Sequence, residues 1–386
     1  MKVRDLLREG TDKLNKAGID NAAYDARQLL MRAYGKTSAE LLADLDRPLC
    51  AGAAGGQEPQ NITQCPGDCG ARINYDDFIL RRAKHIPLQH ILGTASFMGL
   101  EFRVNSDVLV PRQDTETLVE TVLEREKEGG RQRCEERLHV SGKPGQSVRD
   151  VEGCGTDRGM NDDESSKTEH GLRVLDLCTG SGCIAIALKK LGGYAHVTAS
   201  DFSEAALTVA RDNARENDAD VEFILSDMFE SINRSYDVIV SNPPYIASKL
   251  IETLEPEVRD HDPKAALDGG EDGLSFYRII AKEAKSRLTC GQEDEARQDD
   301  FLCEKACRSE DRYKAGGRLY LEIGYDQAEE VTKLLRDNGY ADIEVIKDLS
   351  GNNRVVACRI VVRSQKELLT STSSDENYPG SSRRGD

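Results

Sequence analysis

Apolar positions at the start of the chain recur at helical spacing. Val3, Leu6, Leu7 and Leu14 share one helical face, and Ala26, Leu29, Leu30 and Ala33 share another. Thr37-Ser38-Ala39-Glu40 has the form of a capping box ahead of Leu41 and Leu42. A further helix is predicted from about Tyr75 to His85. These stripes read as the self-packing faces of a small helical domain over residues 1–85. A loop insert at about 50–72, rich in Gly, Pro, Gln and Asn and without period, interrupts it. Over 86–110 the chain alternates and bends, through Ile91-Leu92-Gly93, Phe97-Met98-Gly99-Leu100 and Phe102-Arg103-Val104, which predicts a hairpin linker. Thr117 to about Lys127 is helical again.

A third rhythm begins at Leu172. Short β-branched runs at Leu172–Leu177, His196–Ser200, Val221–Leu225, Tyr236–Val240 and Arg318–Ile323 alternate with helical stretches at Cys183–Leu188, Ala205–Asn217, Gly273–Leu288 and Asp326–Asn338. Ile343–Ile346 and Val355–Val362 close the series as a pair of strands. Strands that alternate with helices predict an α/β domain built on a doubly wound parallel sheet, spanning 111–363. Two further inserts, about 128–171 and 289–317, are charged and poor in large apolar residues. The first is expected to be disordered, because it cannot offset its ordering entropy by burial. The tail over 364–386 carries the same expectation.

Composition changes this picture in two ways. The net charge of −17 and the pI of about 5.0 argue against a nucleic-acid substrate, whose backbone is bound through cations. A hydrophobic content of 38% with a mean hydropathy of −0.56 is low for a folded enzyme and fits solvated inserts on an ordered body. Met1-Lys2-Val3-Arg4-Asp5 has no apolar signal core and no run approaches membrane-spanning length, so a cytoplasmic protein with no membrane partner is expected. Its 11 cysteines are then reduced thiols. Cys65-x3-Cys69 lacks zinc-knuckle spacing and has no histidine nearby, and Cys290, Cys303 and Cys307 lie in another insert; no metal is expected.

The stretch with chemical content is Ser241-Asn242-Pro243-Pro244-Tyr245, after the buried strand Tyr236–Val240. Two prolines bar both helix and sheet pairing and hold the residues before them extended, so the loop is stiff. It can present the Asn242 side chain and the Pro243 carbonyl as two fixed acceptors, with Pro244 behind them and the Tyr245 ring close by. Two acceptors and an aromatic face suit a planar amino group. Gripping both of its hydrogens aims the nitrogen at an electrophile, which is catalysis by positioning.

Upstream, Cys178-Thr179-Gly180-Ser181-Gly182 joins a strand to a helix, a form that brings backbone N–H groups close to a negative group. Either a pyrophosphate or the carboxylate of S-adenosylmethionine would suit it, and Asp201 at the next strand end could accept from ribose hydroxyls in both cases. The dinucleotide pattern G-x-G-x-x-G fits poorly, since Cys178 occupies the first position and Ile184-Ala185 follow. A gripped amino nitrogen needs an electrophile, and a sulfonium methyl is the simple one. All of these residues sit at strand carboxyl ends, where such sheets bind ligands.

With these residues in hand the chain resembles the HemK/PrmC family, the peptide chain release factor glutamine methyltransferases. The resemblance lies in the N-terminal helices, Pro111-Arg112-Gln113-Asp114-Thr115-Glu116, Asp176–Ala187, Asp201, Ser226–Phe229, Asn242–Tyr245 and Leu321-Glu322-Ile323-Gly324. It implies a Rossmann-like domain that uses S-adenosylmethionine to methylate the side-chain amide nitrogen of the glutamine in a release factor's Gly-Gly-Gln loop. It further implies that Cys178–Gly182 and Asp201 hold the cofactor, that Asp227 and Phe229 flank its adenine, and that Asn242–Tyr245 seat the glutamine amide. Cys178 departs from the usual glycine, which is tolerable only where that position needs no positive φ. The Arg112, Asp114 and Glu116 cluster fits both a solvated cap and a site lining. A DNA or rRNA amino methyltransferase would present the same Asn-Pro-Pro-Tyr loop to adenine or cytosine.

Overall fold

The computed structural model describes residues 1–49, 66–140, 170–289 and 316–360 of the chain. It opens with α1 (Val3–Lys16), α2 (Ala22–Tyr34) and α3 (Ser38–Ala43). The two predicted stripes meet, with Val3, Leu6 and Leu14 against Ala26, Leu29 and Leu30 in one cluster. The capping box forms: Thr37 Oγ1 accepts from Glu40 N at 3.3 Å and Glu40 Oε2 accepts from Thr37 N at 2.8 Å.

The next helix, α4 (Pro66–Arg82), starts well before Tyr75, inside the stretch read as an insert. Ala71, Tyr75 and Ile79 recur every four residues and are all buried. The glycines around them masked this stripe, and proline suits a helix start, where its missing N–H costs nothing. The rest of that insert, with Cys50 and Cys65, lies outside the described residues.

After α5 (Leu88–Leu92), β1 (Thr94–Phe97) and β2 (Leu100–Arg103) pair antiparallel. Phe97 and Phe102 meet edge to face at 6.1 Å inside the larger domain's core. Then α6 (Gln113–Val140) continues through residues expected to be disordered up to Val140. Low apolar content and low helix propensity are different properties, and Glu, Arg, Gln and Lys favour a helix without burial. The remainder of that insert, 141–169, lies outside the described residues.

The α/β body runs β3 (His170–Leu177), α7 (Cys183–Gly192), β4 (Tyr194–Asp201), α8 (Glu204–Glu216), β5 (Glu222–Leu225), β6 (Val238–Ser241), α9 (Pro256–Arg259), α10 (Lys264–Leu267), α11 (Ser275–Glu283), β7 (Arg318–Glu322), α12 (Ala328–Asp337), β8 (Tyr340–Lys347) and β9 (Asn353–Ile360). The seven strands lie in the order β5-β4-β3-β6-β7-β9-β8. Pairing is parallel from β5 to β7, while β9 runs antiparallel to both β7 and β8. β3 is flanked by β4 and β6, so strand order reverses there, and the crevice of such a sheet opens beyond β3 and β6. The described chain resumes after 141–169 and 290–315 at the amino ends of β3 and β7.

Period-two alternation sorts side chains to two buried faces. Val174, Val238, Val240, Tyr320, Val355 and Ala357 pack under α6, α7 and α8. Leu175, Leu177, Ile239, Leu319, Leu321 and Val356 pack under α11 and α12.

A buried ion cluster joins the helical bundle to the body. Arg82 Nε donates to Asp25 Oδ2 at 2.6 Å and its Nη2 to Glu257 Oε1 at 2.5 Å, with the Arg82 and Asp25 side chains each only 6% exposed. Arg82→Leu should therefore leave Asp25 buried and uncompensated and lower the unfolding free energy by about 3–5 kcal/mol in urea titration. The double variant with Asp25→Leu should recover much of that loss. Additive losses in the double variant would show that the pair is not coupled.

Candidate active site

The site is built from loops at three neighbouring strand ends. The first leaves β3. Asp176, wholly buried beneath it, accepts through Oδ2 from Thr179 Oγ1 at 2.5 Å and from Ala185 N at 3.2 Å. Burial pushes this carboxyl up to about 7, and the two hydrogen bonds only partly oppose it. The turn is wound by left-handed residues, with φ at 63° for Cys178, 54° for Gly180 and 82° for Gly182. Cys178 thus occupies the conformation in which the missing glycine matters. A left-handed L-residue costs about 1–2 kcal/mol. Packing holds it there: its Sγ lies 3.9 Å from Met228 Sδ, and the following Thr179 N donates to Ser200 O at 2.9 Å. Burial also raises the Cys178 thiol far above its ordinary pKa, which disfavours its thiolate.

Gly182, expected at the cofactor, does not line the cavity described below. A Cβ there would come within 3.1 Å of Ala210 Cβ, so this glycine lets α7 close on α8.

The second loop follows β4. Asp201 Oδ2 accepts from Gly180 N and Oδ1 from Ser203 N, each at 2.9 Å, so the carboxylate braces the glycine turn. Burial raises its pKa. Ser226 N donates to Asp201 O at 2.9 Å, which brings Asp227 and Met228 beside it. Met228 lines the cavity and Phe229 does not: φ at Met228 is 45°, and Phe229 is buried with Ile232 and Tyr236 in the cluster under α11. The aromatic side chain read as an adenine flank is a core residue.

The third loop follows β6. Ser241 Oγ donates to Leu177 O at 2.6 Å, tying the ends of β6 and β3. Asn242 Nδ2 donates to Thr115 Oγ1 at 3.3 Å. Asn242 and Pro244 face the cavity, whereas Pro243 is buried and Tyr245 turns its ring to the cluster under α11. The Tyr245 O–H lies 3.5 Å from Glu322 Oε1, so this ring, expected beside the amino group, braces the loop from behind. Gln327 Nε2 donates to Tyr245 O at 2.9 Å. Among the described residues, no backbone donor takes the Pro243 carbonyl.

Cys178, Thr179, Gly180, Ser181, Asp201, Asp227, Asn242 and Pro244 border a single cavity. The N-terminal end of α7 there can take a negative group. Although Arg112 was among the candidate lining residues, three features in and around this cavity go beyond the loops expected from the sequence. Its far wall is Val108–Arg112, with Pro263, Ala265 and Ala266 beside it. Phe202, exposed directly after Asp201, lines it, and an aromatic at a strand carboxyl end was the available signal. Asn213 of α8 stitches the hairpin to the glycine turn, accepting from Arg103 N at 2.6 Å and donating to Arg103 O and Ser181 O.

The charged residues at the start of α6 divide their work. Arg112 lines the cavity and pairs with Asp262 at 2.9 Å, Asp114 pairs with Arg354 at 3.1 Å, and Glu116 accepts from Met98 N in the hairpin turn. Among the described residues, no group of His, Cys, Asp and Glu is placed to hold a metal, and no helix is long and apolar enough to cross a membrane.

Residues 164–256 match the family described as Methyltransferase small domain, and residues 5–55 match the PrmC N-terminal domain family. The release factor glutamine methyltransferase of Geobacter sulfurreducens is 33% identical over 359 residues, covering 93% of this chain and 96% of that protein. That of Agrobacterium fabrum is 34% identical over 349 residues, covering 90% and 93%. The bifunctional methyltransferase of Rickettsia felis is 33% identical to 92% of this chain, which spans 57% of that protein.

The strained turn gives a direct test. Cys178→Gly relieves about 1–2 kcal/mol of left-handed strain and loses about 0.5–1 kcal/mol to chain entropy, so the unfolding free energy should rise by about 0.5 kcal/mol. Cys178→Ile, β-branched at the same φ, should lower it. A denaturation series with the reverse order would show that the turn is not strained at this residue.

Proposed function

This chain belongs to the release factor glutamine methyltransferase family, and on that premise we propose that it transfers a methyl group from S-adenosylmethionine to the side-chain amide nitrogen of the glutamine in the Gly-Gly-Gln loop of a peptide chain release factor. The observation that carries this reading is that Asn242, Gly180 and Asp201 border one cavity from three adjacent strand ends.

The chemistry of the residues fits the cofactor. The helix end and the glycine turn suit its carboxylate. The Asp201 carboxylate takes N–H groups from Gly180 and Ser203, with that of Phe202 also directed at it, and keeps a lone pair that can accept from a ribose hydroxyl. Phe202 and Met228 offer apolar surface for a flat ring. When bound, S-adenosylmethionine supplies an electrophilic methyl carbon on a sulfonium sulfur.

The chain's own part is to hold the nucleophile. Asn242 Oδ1, at the cavity, and the Pro243 carbonyl, in the loop between the two residues that border it, would accept the two amide hydrogens and aim the nitrogen at the methyl carbon. An amide nitrogen accepting a methyl group would gain positive character, and hydrogen bonds to the two acceptors would strengthen as it did. The nitrogen would then lose its extra proton to solvent, giving a neutral N-methyl amide. Val108–Arg112 and the segment around Pro263 wall the cavity against water.

Purified protein incubated with methyl-labelled S-adenosylmethionine and a release factor should label the loop glutamine, and a glutamine-to-alanine release factor should stay unlabelled. Asn242→Ala should lower kcat by about 10²–10³, with calorimetric affinity for S-adenosylmethionine within a few-fold of the wild type. Full activity in that variant would overturn the assignment.

A further inference from the structure

Pro243 and Pro244 have no N–H, so the proline loop can be fixed there only through its carbonyls and the side chains that flank it. Its entry is tied by Ser241 Oγ, which donates to Leu177 O. We infer that Gln327 fixes its exit, as a positioning residue that sets where Asn242 and the Pro243 carbonyl stand for the reaction; the inference deepens the methyl-transfer reading and rests on it.

Gln327 stands at the N-cap of α12. Ser, Thr, Asp and Asn are favoured at that position, because their short side chains take N–H groups of the first turn. The Gln327 side chain caps nothing. It reaches other segments instead: Oε1 accepts from Gly324 N at 3.0 Å, and Nε2 donates to Tyr245 O at 2.9 Å and to Gly273 O at 3.3 Å. A main-chain N–H only donates and a carbonyl only accepts, so one orientation of the amide satisfies all three groups. Reversed, the amide would set its oxygen against two carbonyls and its NH2 against an N–H. The bond to Tyr245 O is also the shortest side-chain hold on the residues after Ser241: Asn242 Nδ2 stands 3.3 Å from Thr115 Oγ1, and the Tyr245 O–H stands 3.5 Å from Glu322 Oε1.

A glycine cradle supports the same point. Gly273 has φ of 77°, and a Cβ there would stand 2.4 Å from Tyr245 O and 2.8 Å from Gln327 Nε2. A Cβ at Gly269 would stand 2.8 Å from Tyr245 Cα. These two glycines let the turn ahead of α11 lie directly against the end of the proline loop. Ile246 N donates to Leu267 O at 3.0 Å and Gly269 N to Ile246 O at 2.8 Å, which splices the next residue into the same turn. Gln327 thus joins the loop after β6, the turn ahead of α11 and the end of β7. Only two prolines separate Tyr245 from Asn242, and their locked φ transmits a displacement rather than absorbing it. A misplacement of about 1 Å can cost about a hundredfold in rate.

Two independent readouts test the clamp. Gln327→Met keeps the bulk of the side chain and loses all three hydrogen bonds. Gln327→Glu keeps the acceptor for Gly324 N and loses only the donors. In the methylation assay both should lower kcat about ten- to a hundredfold, with KM for the release factor changed less than about threefold. Calorimetric affinity for S-adenosylmethionine should stay within a few-fold of the wild type. In protein carrying ¹⁵N-labelled asparagine, the Asn242 side-chain resonances, assigned by their loss in Asn242→Ala, should move in Gln327→Met and stay in place in Glu330→Gln, an exposed position of the same helix. Thermal melts identify a variant that fails to fold; if Gln327→Met does so, Gln327→Glu carries both measurements. Wild-type kcat or unmoved Asn242 resonances in the folded variant overturn the inference, as does a lower melting temperature with both readouts unchanged. If the resonances move while the wild type labels no release factor, the clamp stands and the reaction assigned above falls.

Discussion

Everything at this site depends on the register between two parallel strands. Leu177 of β3 faces Ser241 of β6, and Ser241 Oγ fastens the pair by donating to Leu177 O at 2.6 Å. The glycine turn and the proline loop therefore leave the sheet at the same level and on the same side. A slip of one residue would send Val238 and Val240 to the opposite face and strip both hydrophobic layers of their match. Burial on both faces of the sheet enforces the register and so fixes the distance between the two loops.

Pattern reading reached the elements and the loops but not the facing of individual side chains. The alternation of short β-branched runs with helices reveals β3 to β7 and their helices, because a buried parallel strand has no other way to appear in a sequence. Asn242 and the glycine turn were legible for the same reason: proline and glycine constrain backbone locally. Phe229 was not, since its facing depends on the left-handed turn at Met228. Gly182 looks like any loop glycine until α8 is seen against it. Asn213 acts across 32 and 110 residues of sequence, and no local pattern marks it; Thr115 lies in a motif, but its contact with Asn242, 127 residues away, is written nowhere in that motif.

The chain is strongly acidic, yet its acids near the cavity are not ordinary surface charges. Burial pushes Asp176 and Glu322 to about 7 and Asp262 to about 6. Each is met by a different compensation: a hydroxyl and a backbone N–H at Asp176, the charge of Arg354 and the Tyr245 hydroxyl at Glu322, and Arg112 at Asp262. The arginines here carry structural work inside the protein, so a count of surface charge says little about what this crevice accepts. The same economy explains why Arg112, Asp114 and Glu116, three neighbours in sequence, end in three separate networks.

The described chain resumes after 141–169 and 290–315 at the amino ends of β3 and β7, while the glycine turn, the Asp201 loop and the proline loop leave the sheet from carboxyl ends. The sheet thus has a working rim and a free rim, separated by the length of its strands. Growth or loss of chain at the free rim alters the size and surface of the protein without rewriting the reacting centre.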